Sequence, residues 1–104
     1  MTENIYIDEL RKVIRKLHGV ESRHLESVPV TETFQGKTVW EGVVEVFELI
    51  EHPTAQRLYA WSHDADGKKR HVTVLHTEKV TSPILAVRAA IIQEFREREP
   101  ETES

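Results

Sequence analysis

The segment from Leu58 to Leu75 contains two stretches of alternating polarity, separated by the turn sequence Asp64-Ala65-Asp66-Gly67. Alternation of this kind is typical of β-strands, because successive side chains point to opposite faces of the sheet. We predict strands at about 57–63 and 70–77 that form a hairpin. Both faces of this hairpin carry large or apolar side chains. Helices on one face would therefore leave a second apolar face to be covered by something else.

The turn chemistry indicates which residues share a face. Asp64 is a favoured first residue of a type I turn and Gly67 suits the left-handed position after it, so we predict a three-residue loop that pairs Asp64 with Lys68. This register places an aliphatic set under the helices: Leu58, Ala60, Val72 and Val74. It places a candidate interface on the other face: Tyr59, Trp61, His63, His71, Thr73 and Leu75. A two-residue turn at Asp66-Gly67 would shift the pairing by one residue and mix the two sets.

The rest of the chain combines helical ends with a central region of period two. An apolar stripe over 5–18 predicts a helix that Asn4 caps and Gly19 ends. A first strand around residues 28–31 includes Pro29, which favours a sheet edge. The triplet 35–37 predicts a tight turn before the next strand. Ser82 is a good cap for a last helix that starts at Pro83.

The second strand, at 38–50, is apolar along most of its length. Its Val43-Val44 and Val46-Phe47 pairs break strict alternation. Such a strand is either buried on both faces or carries a bulge.

The predicted fold is an α+β domain of order αββββα, a four-stranded antiparallel meander sheet with two helices packed on one face. We assign 1–97 to this single domain and predict that the acidic tail, 98–104, is disordered. The predicted core consists of Leu10, Val13, Ile14, Leu17, Val44, Val46, Leu58, Ala60, Val72, Val74, Ile84, Val87, Ile91 and Phe95.

Composition limits the classes of function. The 104 residues suffice for one compact domain, and the net charge of −4 gives no overall attraction to nucleic acid or to an anionic membrane. The chain has no cysteine, which excludes disulfides and thiolate chemistry. The first residues lack the pattern of a signal peptide, and no apolar run is long enough to span a bilayer. We therefore expect a soluble cytoplasmic protein.

The chain contains six histidines but no spacing typical of a metal site. We expect neither a metal nor a cofactor, and we keep a small-ligand or metal site near His63 and His71 only as a third hypothesis.

The run Ser62-His63-Asp64 cannot form a catalytic triad, since neighbouring strand residues alternate faces. Enzyme activity is therefore the weaker hypothesis.

The second strand also carries Glu41, Glu45 and Glu48. Glu41 and Glu45 share a face, but four residues along a strand separate them by about 13 Å, too far for a coupled acid and base. We interpret these residues as a solvated edge or as a gatekeeper against aggregation.

The order of helix, antiparallel sheet and helix is similar in outline to the double-stranded RNA-binding domain, and Lys68-Lys69-Arg70 forms a basic turn. However, Ser82-Pro83-Ile84-Leu85 stands where that family has a lysine-rich start of its last helix. The likeness is one of topology and carries no function. Nucleic-acid binding, with Tyr59 and Trp61 as stacking platforms beside Lys68, Lys69 and Arg70, is our alternative hypothesis.

The leading hypothesis is a small non-enzymatic interaction module that uses the candidate interface. Tyrosine and tryptophan are enriched in the cores of protein interfaces, and two-fold dimers are the commonest oligomers. The expected partner is therefore a second copy of the chain or another protein.

Overall fold

The computed structural model describes residues 5–65 and 67–98. Its elements are α1 (Ile5–His18), β1 (Ser22–Phe34), β2 (Lys37–Leu49), β3 (Arg57–Ala65), β4 (Lys68–Leu75) and α2 (Pro83–Arg98). The strands form one antiparallel sheet in the order β1-β2-β3-β4. This confirms the predicted αββββα meander. The predicted cap Asn4 and the predicted tail beyond residue 98 lie outside the described residues.

Local signals explain both helices. α1 carries Asp8 in its first turn and basic residues in its last, as the helix dipole favours. The N–H of Gly19 still donates to the carbonyl of Arg15 at 2.9 Å, and the φ of 72° at Gly19 then turns the chain out of the helix. At the start of α2, the Ser82 hydroxyl accepts a hydrogen bond from the N–H of Leu85. The predicted cap and stop are therefore confirmed.

The β1–β2 hairpin turns at Gln35 and Gly36, which both have positive φ, as a two-residue type I′ loop requires. Phe34 pairs with Lys37 across this loop, and the ladder continues to Ser22 and Leu49 with two register shifts. The hairpin is longer than β3 and β4, so its turn end reaches beyond them.

The predicted register of the second hairpin is wrong by one residue. Ala65 pairs with Lys68, and Asp64 pairs with Lys69 instead of Lys68. The loop therefore has two residues, and Gly67 (φ 76°) provides the backbone conformation that matches the twist of the flanking strands.

The two helices cover opposite faces of the sheet, so the predicted packing on one face is wrong. On what we call the α1 face, Ile7, Leu10 and Ile14 pack on Phe47, Leu49, Leu58 and Ala60. On what we call the α2 face, Ala86 and Val87 pack on Val30, Val44, Val46, Tyr59 and Trp61. The reason lies in β2, whose apolar side chains point to both faces and need a cover on each.

Most of the predicted core is at least half-buried. The exception among the described side chains is Leu17, in the last turn of α1, which is 61% exposed. The side chain of Phe95 lies outside the described part of the structure. None of the described helices is long and apolar enough to cross a membrane.

The two hairpins are joined along only part of their length. β2 pairs with β3 from Glu45 to Glu48, so residues 37–44 of β2 and residues 61–65 of β3 are not hydrogen-bonded to each other. α2 packs across this region against β1, β2 and β4. An ion pair between Arg88 and Glu32 ties the helix to the first hairpin.

Candidate ligand-binding cleft

A cleft of about 520 Å³ lies between α2 and the β3–β4 hairpin, and β2 contributes Trp40 to its lining. Its volume is in the range of small-molecule sites in proteins. Its apolar lining residues are Trp40, Trp61, Val72, Val74, Val87, Ala89, Ala90 and Ile91, and its polar lining residues are His63, Arg70, His71, Thr73 and Gln93. An apolar lining with a few polar groups is the usual composition of a ligand pocket.

Two indole rings form one wall of the cleft. The rings of Trp40 on β2 and Trp61 on β3 lie edge to face, with centroids 5.6 Å apart and an interplanar angle of 70°. Gly42 makes this arrangement possible, because a Cβ atom there would lie only 3.1 Å from Cη2 of Trp40. The half-buried Trp40 ring therefore lies across the backbone of its own strand and reaches the second hairpin.

The polar end of the cleft is formed by a directly opposed cross-strand pair, His63 on β3 and Arg70 on β4. The next pairs on the same face are Trp61 with Val72 and Tyr59 with Val74. The cleft thus changes from basic and exposed at the β3–β4 turn to apolar in its interior. Within the part of the chain that the structure describes, Arg70 has no ion-pair partner.

Tyr59 lies deeper on the same face, and its hydroxyl group is already bonded within the protein. Its hydroxyl makes a 2.8 Å hydrogen bond with Nδ1 of His76, and burial raises the pKa of the phenol. This hydrogen bond satisfies the polar end of a side chain that is otherwise enclosed by α2 and the sheet.

The predicted interface does not form one surface, because the true register divides its six residues between the two faces. Tyr59 and Trp61 are only 2% and 3% exposed, since α2 covers them. His63 stays on their face, at the polar end of the cleft. Leu75 instead packs under α1, while His71 and Thr73 bond to residues of the α1 face.

His71 and Thr73 make specific contacts that the sequence did not indicate. Nδ1 of His71 lies 2.6 Å from Oγ of Ser62, directly across the hairpin. Nε2 of His18 lies 3.1 Å from Oγ1 of Thr73, and burial, with a smaller effect of nearby His52, lowers the pKa of His18. Ser62 and His71 are in contact in the same way as a catalytic serine and its general base, but no carboxylate among the described residues is bonded to His71. We therefore assign it a structural role.

The interpretation of Glu45 as a solvated residue is wrong. Glu45 is 6% exposed, and its Oε1 accepts hydrogen bonds from Nε2 of His24, at 2.8 Å, and from the hydroxyl of Ser27. The alternation of side chains along the strand placed Glu45 on the same face as Glu41. It did not indicate that hydrogen-bond donors on β1 would cover the Glu45 carboxylate. Glu41 is exposed, and Glu48 pairs with Arg23.

The three basic residues near the turn do not form one patch. Arg70 lines the cleft, whereas Nζ of Lys69 lies 5.5 Å from the ring centroid of Tyr6 on α1. Neighbouring strand residues alternate faces, so their charges diverge. Among the described residues, no group of three histidine or carboxylate side chains could hold a metal ion.

Comparisons with protein-family models, with curated proteins and with solved structures find no match for this chain.

Proposed function

We propose that the protein is a small non-enzymatic binding module that takes a planar aromatic ligand into the cleft between its sheet and α2. The observation that carries this proposal is the pair of indole rings, Trp40 and Trp61, beside an open volume of about 520 Å³. The cytoplasmic location expected from the sequence remains part of the proposal.

The wall opposite the indoles favours a flat ligand. The part of the lining that α2 contributes includes the small side chains Ala89 and Ala90, which occupy little space beside the aromatic rings. Aromatic pairs stabilise a contact by about 0.5–1.5 kcal/mol beyond the effect of buried area. A ring inserted beside Trp40 would gain such contacts and would displace water from an apolar surface.

Fluorescence of phenylnaphthylamine, a neutral planar dye whose emission rises in apolar surroundings, tests the proposal. The wild-type protein is expected to bind one dye molecule, and Trp40→Ala is expected to weaken binding about tenfold through loss of the stacking surface. Trp40 suits this test better than Trp61, because Trp40 is half-buried while Trp61 belongs to the core.

Phe34→Ala is the matched control, because Phe34 is an exposed aromatic residue at the far end of the β1–β2 hairpin and does not line the cleft. Circular dichroism would show that both variants are folded. Wild-type protein that does not bind the dye, or a Trp40→Ala variant that binds it unchanged, would contradict the proposal.

Self-association is a second candidate function, and it rests on a different surface from the predicted one. Phe34, Val39 and Val43 are exposed apolar residues of the β1–β2 hairpin, and residues 37–44 of β2 form no ladder with β3. An apolar strand with a free edge can pair with a second copy. Sedimentation at micromolar concentration is expected to show a dimer that Val43→Glu dissociates, and a single monomeric species would refute this candidate.

Nucleic-acid binding has less support. Its two stacking platforms, Tyr59 and Trp61, lie under α2, and Lys69 and Arg70 point to different elements.

A further inference from the structure

We infer that the ligand of the cleft is a planar aromatic carboxylate, held by its ring beside Trp40 and by its carboxylate at Arg70. This inference rests on the proposed function and adds the chemical class of the ligand. It uses three observations: the charge of the lining, the state of Arg70 and the polarity gradient along the cleft.

The described residues that line the cleft have a charge opposite to that of the chain. The protein has a net charge of −4, yet Arg70 is charged and no carboxylate occurs among the described residues that line the cleft. A guanidinium group offers a planar set of N–H donors that matches a carboxylate, and hydrogen bonds between charged groups are the stronger ones. A single positive charge balances one carboxylate better than a doubly charged phosphate group.

Arg70 is available for a ligand. It is exposed, and no carboxylate or hydroxyl among the described residues is bonded to its guanidinium group. Three other arginines, Arg15, Arg23 and Arg88, each form an ion pair with a glutamate at 2.8 Å or less. Arg70 differs from them because its cross-strand neighbour is His63, whose imidazole offers a further hydrogen-bonding group at the same end.

The polarity gradient fixes the orientation of the ligand. Arg70 and His63 form the exposed end, and the next cross-strand pair, Trp61 with Val72, begins the apolar interior. A ligand with a carboxylate at one end and a flat ring at the other would place each part in matching surroundings. Its charge would remain near solvent, where it avoids the free-energy loss of burying an ion.

Calorimetric titration with indoleacetate and its neutral isostere indoleacetamide tests the inference. The two probes share a ring and differ only in the charged group. Wild-type protein is expected to bind indoleacetate about tenfold more tightly, the effect of one partly exposed charged hydrogen-bond pair. This preference is expected to shrink as ionic strength rises, since salt screens exposed charges.

Arg70→Gln removes the charge, and Lys69→Gln is the matched control, because it removes the same charge from the neighbouring residue on the other face. Arg70→Gln is expected to bind both probes with the affinity of the amide, whereas Lys69→Gln keeps the wild-type preference. Equal binding of both probes by wild-type protein would overturn the inference while the proposed function stands. A preference that survives in Arg70→Gln would also overturn it. Failure of both probes, together with failure of the neutral dye, would remove the proposed function itself.

Discussion

Replacement of Gly42 by alanine tests the geometry of the indole wall directly. A Cβ atom at this position would lie 3.1 Å from Cη2 and 3.4 Å from Cζ2 of Trp40. Ordinary carbon contacts begin at about 3.5 Å, so the ring must move by roughly 0.4 Å or more. The movement would disturb its contact with Trp61, whose ring centroid lies 5.6 Å away.

Two effects of similar size then oppose each other. Alanine in a strand is more favourable than glycine by about 0.5–1 kcal/mol, because it restricts the unfolded chain. The disturbed aromatic pair loses up to about 0.5–1.5 kcal/mol. We therefore expect Gly42→Ala to change the free energy of unfolding by less than about 1 kcal/mol, while the affinity for phenylnaphthylamine falls.

The Trp40→Ala background separates the two effects. Without the ring, Gly42→Ala should stabilise the protein by the full ~0.5–1 kcal/mol, because the three atoms nearest to the new methyl group are then absent. Urea unfolding of the four proteins gives the coupling free energy, provided that the m-values agree. Additive effects of the two substitutions would show that Trp40 does not lie across Gly42, and the reasoning about the cleft wall would fail.

Two further predictions concern the buried polar groups. Glu45→Ala should lower the free energy of unfolding by about 2–3 kcal/mol, since it leaves the partly buried His24 and the Ser27 hydroxyl without their common acceptor. Glu45→Gln should lower the free energy of unfolding by less. Equal losses for the two variants in urea unfolding would contradict this account. Because burial lowers the pKa of His18, the unfolded state binds more protons than the folded state once the pH falls below about 6.5. Stability should therefore decrease as the pH falls from about 7 towards 5. Thermal melts should show a smaller decrease for His18→Gln than for the wild-type protein. The same decrease in both proteins would refute this role of His18.

The sequence predicted the elements well where local chemistry defines them. α1 is delimited by its apolar stripe and by Gly19, and α2 by Ser82 and Pro83. These signals act within a few residues of the backbone they affect, so they can be recognised without tertiary information. The tight turn at Gln35-Gly36 belongs to the same class.

The register of the second hairpin required a choice between two plausible turns. Asp64 favours a three-residue loop, whereas Asp66-Gly67 is a strong signal for a two-residue loop. The chain uses the two-residue loop. Because a shift of one residue moves every side chain of a strand to the other face, this single choice misplaced three of the six candidate interface residues.

The position of the helices could have been predicted from β2. Val44 and Val46 point to one face, and Phe47 and Leu49 point to the other, so the strand exposes apolar surface on both sides unless each is covered. The broken alternation of the sequence contains this information. A sheet with one helix at each end of the chain can meet the requirement by placing α1 and α2 on opposite faces.

The indole wall of the cleft follows from the same requirement, together with the early end of the β2–β3 ladder. α2 covers a face to which β2 and β3 both contribute, but these strands pair only from Glu45 to Glu48. Where the pairing stops, main-chain hydrogen bonds no longer close the sheet, and side chains must bridge the gap. Trp40 does so by lying across Gly42 to reach Trp61. The spacing Trp-x-Gly on one face of a strand is thus the local sign of the site, but its meaning depends on the end of the β2–β3 ladder, which no short stretch of sequence encodes.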